Sequence, residues 1–413
     1  MQTYVVGGAL RDELLGLEVQ EYDHVVVGAT VQQMLDLGYQ PVGRDFPVFL
    51  HPQTHEEYAL ARTERNTGPG YRGFEIHASP DVTLEEDLLR RDLTINAMAR
   101  GDDGVLVDPH GGRDDLANRW LRHISPAFAE DPVRILRVAR LAAKLMPLGF
   151  KLAPETRQLM QKMVLAGEVN ALVPERVWQE LRKALASTQP RCFFEVLRDC
   201  GAHGVLFPEI EVLFGVPQPP QYHPEIDTGV HTLMVLDQAT QLSTDPLLRF
   251  AALTHDLGKG TTPKEILPSH HGHEERGVPL VQVLCDRLAA PKRFKEFASV
   301  VTRWHGTVHQ ALELKPSTVV KLLERLDVFR RRERLEDVLL VCLADSRGRL
   351  GFEERDYPQA DYLRACYAAC LDVDIPAIQA QGFAGPQLGE ELHRQRVEAV
   401  KSVKAGWVVK DGV

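Results

Sequence analysis

The hydrophobic period of this chain changes once along its length, and that change sets what it can fold into. Over roughly the first 125 residues the apolar residues fall in short runs, Tyr4-Val-Val, His24-Val-Val-Val, Pro47-Val-Phe-Leu and Glu57-Tyr-Ala-Leu-Ala, separated by Gly, Pro and Asp clusters. Such runs read as strands. Between the first two, Leu10-Arg-Asp-Glu-Leu-Leu has helical spacing, so this block reads as α+β. From Asp131 onward the apolar residues recur at three- and four-residue intervals, as in Ile135, Val138, Leu141, Ala142 and Leu145. That is the period of an amphipathic helix, and the remainder reads as nearly all helix. With 413 residues, two or three domains are expected.

The clearest punctuation is Val216-Pro-Gln-Pro-Pro-Gln-Tyr-His-Pro, whose four prolines in nine residues cannot continue a helix. It reads as a linker, with a new unit beginning near His223. Lys and Arg number 48 against 58 Asp and Glu, a net charge of −10, so an overall basic coat for nucleic acid is excluded. Local basic clusters remain, at Arg134, Arg137, Arg140 and Lys144, at Lys292, Arg293 and Lys295, and at Arg330, Arg331, Arg332 and Arg334; each fits a solvated helix face as well as a phosphate-binding one. The N-terminal segment lacks a basic region and a long apolar stretch, and no run reaches the length of a membrane span. A soluble, cytoplasmic protein is expected. The six scattered cysteines include no Cys-x-x-Cys pair, which predicts buried reduced thiols.

Two glycine patterns mislead. Gly68-Pro-Gly-Tyr-Arg-Gly73 matches a dinucleotide fingerprint, but the strand-like Phe74-Glu-Ile follows where a helix is required. Leu257-Gly-Lys-Gly-Thr-Thr262 lacks the first glycine of a phosphate loop, with Leu253 in its place.

The first chemical constellation lies near the N-terminus. The strand at Tyr4-Val-Val runs into Gly7-Gly8 and a short helix bearing Arg11 and Asp12. Paired glycines let backbone approach a ligand, and amides at a helix start face phosphate oxygens. Glu21-Tyr-Asp23 then leads into the next strand; residues i and i+2 of a strand face one way, so Glu21 and Asp23 are predicted to share a divalent cation, with Mg²⁺ suited to hard oxygen ligands. Such ions can activate a hydroxyl and stabilise leaving pyrophosphate, so phosphoryl-type transfer is the reaction class. Farther on, Asp131 and Arg134 stand at i, i+3, either as an intrahelical ion pair or as a fixed acceptor and donor matched to a base edge.

Gly7-Gly-Ala-Leu-Arg-Asp12 with Glu21-Tyr-Asp23, then Arg90-Arg-Asp-Leu-Thr-Ile-Asn-Ala97, then Glu130-Asp-Pro-Val-Arg-Ile-Leu-Arg137 resemble, in order, the motifs of class II CCA-adding tRNA nucleotidyltransferases and their poly(A) polymerase relatives. The resemblance extends across essentially the whole chain. It implies a polymerase-beta-like head and a reaction that adds and repairs the 3′-terminal CCA of tRNA from CTP and ATP, without a nucleic-acid template, releasing pyrophosphate. It implies nucleotide contacts from Gly8, Arg11, Arg91, Arg137 and Arg140, Mg²⁺ ligation by Glu21 and Asp23, and base reading by Asp131 and Arg134. Glu21 departs from the usual aspartate of the family. Glu57 is a further carboxylate candidate on a neighbouring strand.

The second constellation is rich in histidine. His231, His255-Asp256, His270-His271-Gly-His273, His305 and Asp345 stand in the order of the HD phosphohydrolase superfamily, a resemblance that implies His231, His255, Asp256 and Asp345 as metal ligands, with His255 and Asp256 also catalytic and the HD pair on one helix. Spacing does not choose among His271, His273 and His305. Imidazole with carboxylate suits Ni, Mn, Fe or Zn more than Mg alone, and of these Ni²⁺ is expected. The implied activities are phosphatase, 2′-nucleotidase and 2′,3′-cyclic phosphodiesterase.

The predicted organisation is an α+β head over residues 1–140, a helical neck and body binding nucleotide and tRNA over 141–222, an HD domain over 223–330 with its core at about 228–329, and a helical C-terminal region over 331–413. Partners expected are the tRNA 3′ end, CTP and ATP, with no membrane and no DNA, in a monomer or homodimer. Poly(A) polymerase is the nearest alternative; an HD phosphohydrolase with an inactive RNA-binding head is the alternative of a different class.

Overall fold

Alternation of side chains along short β-branched segments builds the head. In the computed structural model, which describes residues 1–19, 21–42, 48–66 and 74–407, the strands of the head's main sheet and of one separate pair are β1 (Gln2–Val6), β2 (Asp23–Val27), β3 (Gln40–Val42), β4 (Val48–Leu50), β5 (Glu57–Leu60), β6 (Arg62–Asn66), β7 (Phe74–Ala78), β8 (Ala99–Gly101) and β9 (Leu106–Val107), and a further short pair is formed by Trp120–Leu121 and Lys151–Leu152. Seven of them form one sheet in the order β3-β4-β5-β2-β1-β8-β9, and β6 pairs with β7 alone. Only β2 and β5 run parallel; the other neighbours in the sheet are antiparallel. Successive β2 residues serve opposite faces, as the pleat requires. Val25 joins Val6, Val82, Leu84 and Leu88 on one side, and Val26 joins Met34, Phe49 and Leu60 on the other.

Antiparallel register pairs Val6 with Asp23, so the chemical end of β2 lies beside the strand end that runs into Gly7. Parallel register sets Glu57 directly across from Asp23. The four strands anticipated from Tyr4, His24, Val48 and Glu57 are present; the strands β3, β8 and β9, two or three residues each, are too short to announce themselves. The first glycine pattern, Gly68 to Gly73, lies outside the described residues.

Helix Val133–Leu145 buries Ile135, Leu136, Val138, Ala139, Leu141, Ala142 and Leu145 and packs on helices Pro174–Leu185 and Arg191–Asp199. The described chain is α+β overall, and it falls into two compact units, Met1–Leu206 and Phe207–Val413. This places the proline-rich segment inside the second unit, not in a linker between units. Its amides and carbonyls are used within that unit: Gln218 N–H donates to Ile226 O at 2.7 Å, Thr228 N–H donates to Val216 O at 3.0 Å, and His270 Nε2 lies 3.0 Å from Pro217 O. Prolines prevented helix, as predicted, but a segment whose backbone groups find partners can form a wall instead.

The second unit centres on helix Pro246–Thr254, which packs on helices Thr228–Leu242, Lys292–His309 and Arg334–Arg347. Asp227 starts helix Thr228–Leu242 and Asp245 starts helix Pro246–Thr254, accepting from Val230 N–H at 2.9 Å and Leu247 N–H at 2.8 Å, as N-caps do. Gly258 sits where a short 3₁₀ turn (Leu257–Thr261) crosses helix His273–Arg287. A Cβ there would stand 1.9 Å from His273 O and 2.7 Å from Gly277 N. The glycine thus serves backbone packing rather than phosphate binding. Gly258→Ala is expected to destabilise this unit by about 3 kcal/mol, the upper range of overpacking, read as a lowered midpoint in denaturant unfolding. The six cysteines are buried and free. No helix among the described residues is long and apolar enough to cross a membrane.

Candidate functional site

In the head, β1 delivers Gly7 at φ +76°, a left-handed conformation suited to glycine. A Cβ at Gly7 would meet Arg91 Nη1 at 3.1 Å and Asp23 Oδ2 at 3.7 Å, so the turn, the arginine and the carboxylate share one small space. Glu21 lies in the approach to β2 and not on the strand, which begins at Asp23; strand alternation is therefore not what orients it. Its charge is still felt: partial desolvation raises the Asp23 carboxyl above its ordinary value although the residue is exposed, Arg91 opposes this, and Glu21 adds to the rise. Gly8 borders the Arg11 guanidinium, with Nη2 3.4 Å from where its Cβ would be.

Arg11 is buried and engaged inward, which differs from the expectation of a phosphate contact one turn into the helix. Its Nη1 donates to Asn96 Oδ1 at 2.6 Å and its Nη2 to Asp12 Oδ1 at 2.8 Å. Asp12 Oδ2 accepts from Lys144 Nζ at 2.7 Å, and Asn96 Nδ2 donates to Asp92 Oδ1 at 2.9 Å. Arg137 Nε donates to Asp92 Oδ2 at 2.7 Å. Burial alone would raise the Asp92 carboxyl, but Arg137, Asn96 and the Leu93 amide hold it well below the usual range. Arg91 is half-buried beside the buried Asp87, donating to its Oδ2 at 3.2 Å, and Arg140 Nε donates to Glu180 Oε2. One continuous polar network thus joins the first helix to the loop around Asp92 and to helix Val133–Leu145.

Asp131 and Arg134 are not an intrahelical pair. The helix begins at Val133, and Asp131 stands before it in extended conformation, because Pro132 disfavours helical geometry at the preceding residue. Asp131 Oδ1 accepts from Val133 N–H at 3.1 Å, while Arg176 donates Nη1 to Oδ1 at 3.2 Å and Nη2 to Oδ2 at 2.8 Å. Arg134 donates to two backbone carbonyls, Ala127 O at 2.7 Å and Arg90 O at 2.6 Å. Arg176 was not anticipated. It lies 45 residues away from Asp131, and no local spacing signals it.

In the second unit four imidazoles converge. His231 Nδ1 lies 2.9 Å from Gly348 O, His255 Nδ1 2.7 Å from Ala252 O, His273 Nδ1 2.9 Å from His270 O, and His305 Nδ1 3.1 Å from Thr302 O. A carbonyl only accepts, so each Nδ1 carries a hydrogen, and in the neutral ring each Nε2 is then the free nitrogen. All four Nε2 atoms turn toward two carboxylates. His231 Nε2 is 3.2 Å from Asp345 Oδ1, His255 Nε2 is 3.2 Å from Asp256 Oδ2, and His273 and His305 Nε2 are 3.2 and 3.5 Å from Asp256 Oδ1. Glu225 Oε1 stands 3.1 Å behind His231 Nδ1.

The cluster is buried, and several of its inward atoms lack a hydrogen bond: His231 Nε2, His255 Nε2, both Asp256 oxygens and Asp345 Oδ1. Lys259 Nζ nevertheless lies 2.6 Å from Asp256 Oδ2 and donates to Gln218 Oε1 at 2.6 Å. Burial would raise Asp256 and Asp345, but the histidines around both, with Lys259 beside Asp256, hold them well below the usual range. Burial also opposes a proton on His255, and the two carboxylates outweigh it and raise that imidazole. His273 and His305 face each other nitrogen to nitrogen at 3.1 Å, so two lone pairs meet unless one ring carries a second hydrogen. Of the three histidines that spacing left open, His273 and His305 enter the cluster and the exposed His271 does not.

His255 and Asp256 do not share a helix interior. Helix Pro246–Thr254 ends at His255, its C-cap, and Asp256 opens the 3₁₀ turn at φ −106°. That change of backbone turns two adjacent side chains toward one point, which regular helix would splay by about 100°. Asp345 sits on helix Arg334–Arg347, beyond the predicted end of this domain at residue 330.

Family models agree with this organisation. Poly A polymerase head domain matches residues 3–122, the model described as probable RNA and SrmB-binding site of polymerase A matches 149–214, and HD domain matches 228–349. The Multifunctional CCA protein of Thioalkalivibrio sulfidiphilus is 69% identical over 98% of this chain and 100% of its own length. That of Methylococcus capsulatus is 62% identical over 98% and 96%. Among solved structures, a CCA-adding enzyme in apo form II has TM-score 0.65 at 20% identity, covering 99% of this chain and 89% of that one. The Thermotoga maritima CCA-adding enzyme complexed with tRNA has TM-score 0.61 at 20% identity, covering 98% and 91%; such identities establish likeness of fold. Identity over nearly the full length of two such relatives decides the matter: the chain belongs to the multifunctional CCA protein family.

Proposed function

We propose that this chain adds and repairs the 3′-terminal CCA of tRNA using CTP and ATP, without a nucleic-acid template, and releases pyrophosphate. The observation that carries this reading is the meeting of Gly7, Arg91 and Asp23 at the end of two paired strands. Asp23, raised by poor solvation and by Glu21, fits a divalent cation, which would relieve both effects. Glu21 and Asp23 would hold Mg²⁺, and when bound it would supply charge neutralisation at the triphosphate and an acidified primer hydroxyl. Gly8 and Arg91 would meet the nucleotide. Arg137 keeps a side chain 45% exposed beyond its bond to Asp92, available to phosphate, and Arg140 would extend that basic face. Arg11 would hold the Asn96 and Asp12 network in register and reach phosphate only by exchanging partners. Asp131, clamped by Arg176, would present a fixed acceptor to the base; Arg134 would read beside it after releasing a carbonyl.

The second unit would hydrolyse phosphate esters, as a phosphatase, 2′-nucleotidase and 2′,3′-cyclic phosphodiesterase. Its unsatisfied inward atoms and nitrogen-rich donor set fit a transition ion, Ni²⁺ in our reading, on His231, His255, Asp256 and Asp345. When bound, that ion would supply a polarised phosphate and an activated water. Lys259 and Arg349, the latter 3.7 Å from Asp345, would add positive charge for the phosphate. In this reading the head is 1–140 and the neck and body 141–222, and the HD part extends past 330 to include Asp345.

The test is incubation of the purified chain with Mg²⁺ and a tRNA transcript lacking CCA, supplied with CTP, ATP or both, with products resolved to single nucleotides. Two additions with CTP alone and a stop after three with both are expected. An open adenosine ladder would instead establish a poly(A) polymerase, and no addition with esterase activity retained would leave an HD hydrolase with an inactive head.

A further inference from the structure

Asp345 has two unequal oxygens. Oδ1 faces His231 Nε2 at 3.2 Å and has no hydrogen bond. Oδ2 lies 2.6 Å from Nε2 of His309, a residue outside the set of inward imidazoles. A carboxylate at this distance can only accept, so His309 Nε2 carries a hydrogen. The other nitrogen of the same ring, Nδ1, lies 2.8 Å from the Tyr357 hydroxyl. That contact fixes the plane of the ring, and in the neutral imidazole the hydroxyl donates to Nδ1 and so selects the tautomer that donates to Asp345.

Three elements supply the three groups. His309 is the last residue of helix Lys292–His309, Asp345 lies on helix Arg334–Arg347, and Tyr357 caps helix Pro358–Leu371. Gln359 Nε2 donates to His309 O at 3.2 Å and ties the end of the first helix to the third. Tyr357 and Gln359 lie beyond the residues 228–349 that the HD domain match covers. The buttress is therefore built partly by chain outside that match.

We propose that His309, held by Tyr357, is a positioning residue that commits Asp345 to bind a cation through Oδ1 alone. The inference rests on the reading of the cluster as a metal centre. Without the His309 bond the Asp345 carboxylate loses the hydrogen-bond partner that fixes Oδ2, and its ligand oxygen is held less firmly toward His231 and His255. Partners of this kind behind a ligand typically change metal affinity by about 10- to 100-fold.

The experiment is titration of the full chain, stripped with a chelator, with Ni²⁺ alone, read by calorimetry and by competition with a chromophoric chelator. His309→Ala is expected to weaken Ni²⁺ binding about 10- to 100-fold. His309→Gln, whose amide nitrogen can replace Nε2 as donor, is expected to restore affinity to within about threefold of the parent on the same scale. Tyr357→Phe is expected to weaken binding about tenfold with the ring still present. The metal-free melting temperature should be the same in parent and Tyr357→Phe, which separates ligand positioning from a structural role. Equal affinity in the parent, His309→Ala and Tyr357→Phe chains would overturn the inference while leaving the metal centre standing. Absence of Ni²⁺ uptake by the parent would overturn both. Should His309→Ala fail to fold, Tyr357→Phe decides alone: unchanged affinity refutes the positioning role.

Discussion

Asp23→Asn is expected to lower nucleotide incorporation about a thousand-fold, or about 4 kcal/mol of transition-state stabilisation, while leaving phosphate-ester hydrolysis by the second unit at the parent rate. The substitution keeps shape and removes charge. In the parent, the Asp23 carboxyl is raised by partial desolvation and by Glu21, with Arg91 working the other way. A cation reverses that balance, because a divalent charge shared by two carboxylates favours their ionised forms. Asparagine offers one oxygen and no charge, so the site would keep its shape and lose its attraction for the ion. Single-nucleotide resolution of products, with CTP and ATP in turn, measures the loss. Glu21→Asp should retain activity, since a shorter carboxylate is still a hard oxygen ligand, whereas Glu21→Ala should not. Unchanged incorporation in Asp23→Asn would remove the metal role from this strand end.

The second large effect is expected at Asp256→Asn. Asp256 presents Oδ1 to His273 and His305 and Oδ2 to His255 and Lys259, so both halves of the cluster depend on its charge. Hydrolysis of a 2′,3′-cyclic phosphate is expected to fall at least about 100-fold, or about 2.7 kcal/mol, with CCA addition unchanged. Stability gives an independent reading. An ion that binds only the folded chain adds about 2.7 kcal/mol at a hundred times its dissociation constant. The parent should therefore melt higher with Ni²⁺ than with chelator, and the variant should melt at one temperature in both. Asparagine still offers Lys259 an oxygen, so loss of the ion effect would not be a consequence of an orphaned lysine. Retained hydrolysis in the variant would place the hydrolytic site elsewhere.

Several features of both sites were legible in local sequence. Gly7 stands where a positive φ and a close approach to Arg91 leave no room for a side chain. Val25 and Val26 announce a strand buried on two faces. His305 and His309 are one helical turn apart, so a shared direction could have been read, though not that one turns to Asp256 and the other to Asp345. Other features left no local trace. The spacing of Asp131 and Arg134 fits a helix, but Pro132 places Asp131 ahead of it and Arg176 takes its carboxylate. Arg11 carries the charge for a phosphate contact, yet Asn96 and Asp12 hold it inward.

The division follows from what each level of description contains. Hydrophobic period and the steric demands of glycine and proline act within a few residues, so sequence alone determined the α+β head, the helical remainder, and the order of the motifs that carry family membership. Polar pairing depends on which groups meet after the chain has folded. Asp12 and Lys144 are 132 residues apart, and His231 and Gly348 are 117. Tertiary structure alone decided that four imidazoles turn their Nε2 atoms inward, that one Asp345 oxygen lacks a hydrogen bond, and that a proline-rich segment walls a site instead of linking domains. A buried polar group must find its partner wherever the fold provides one.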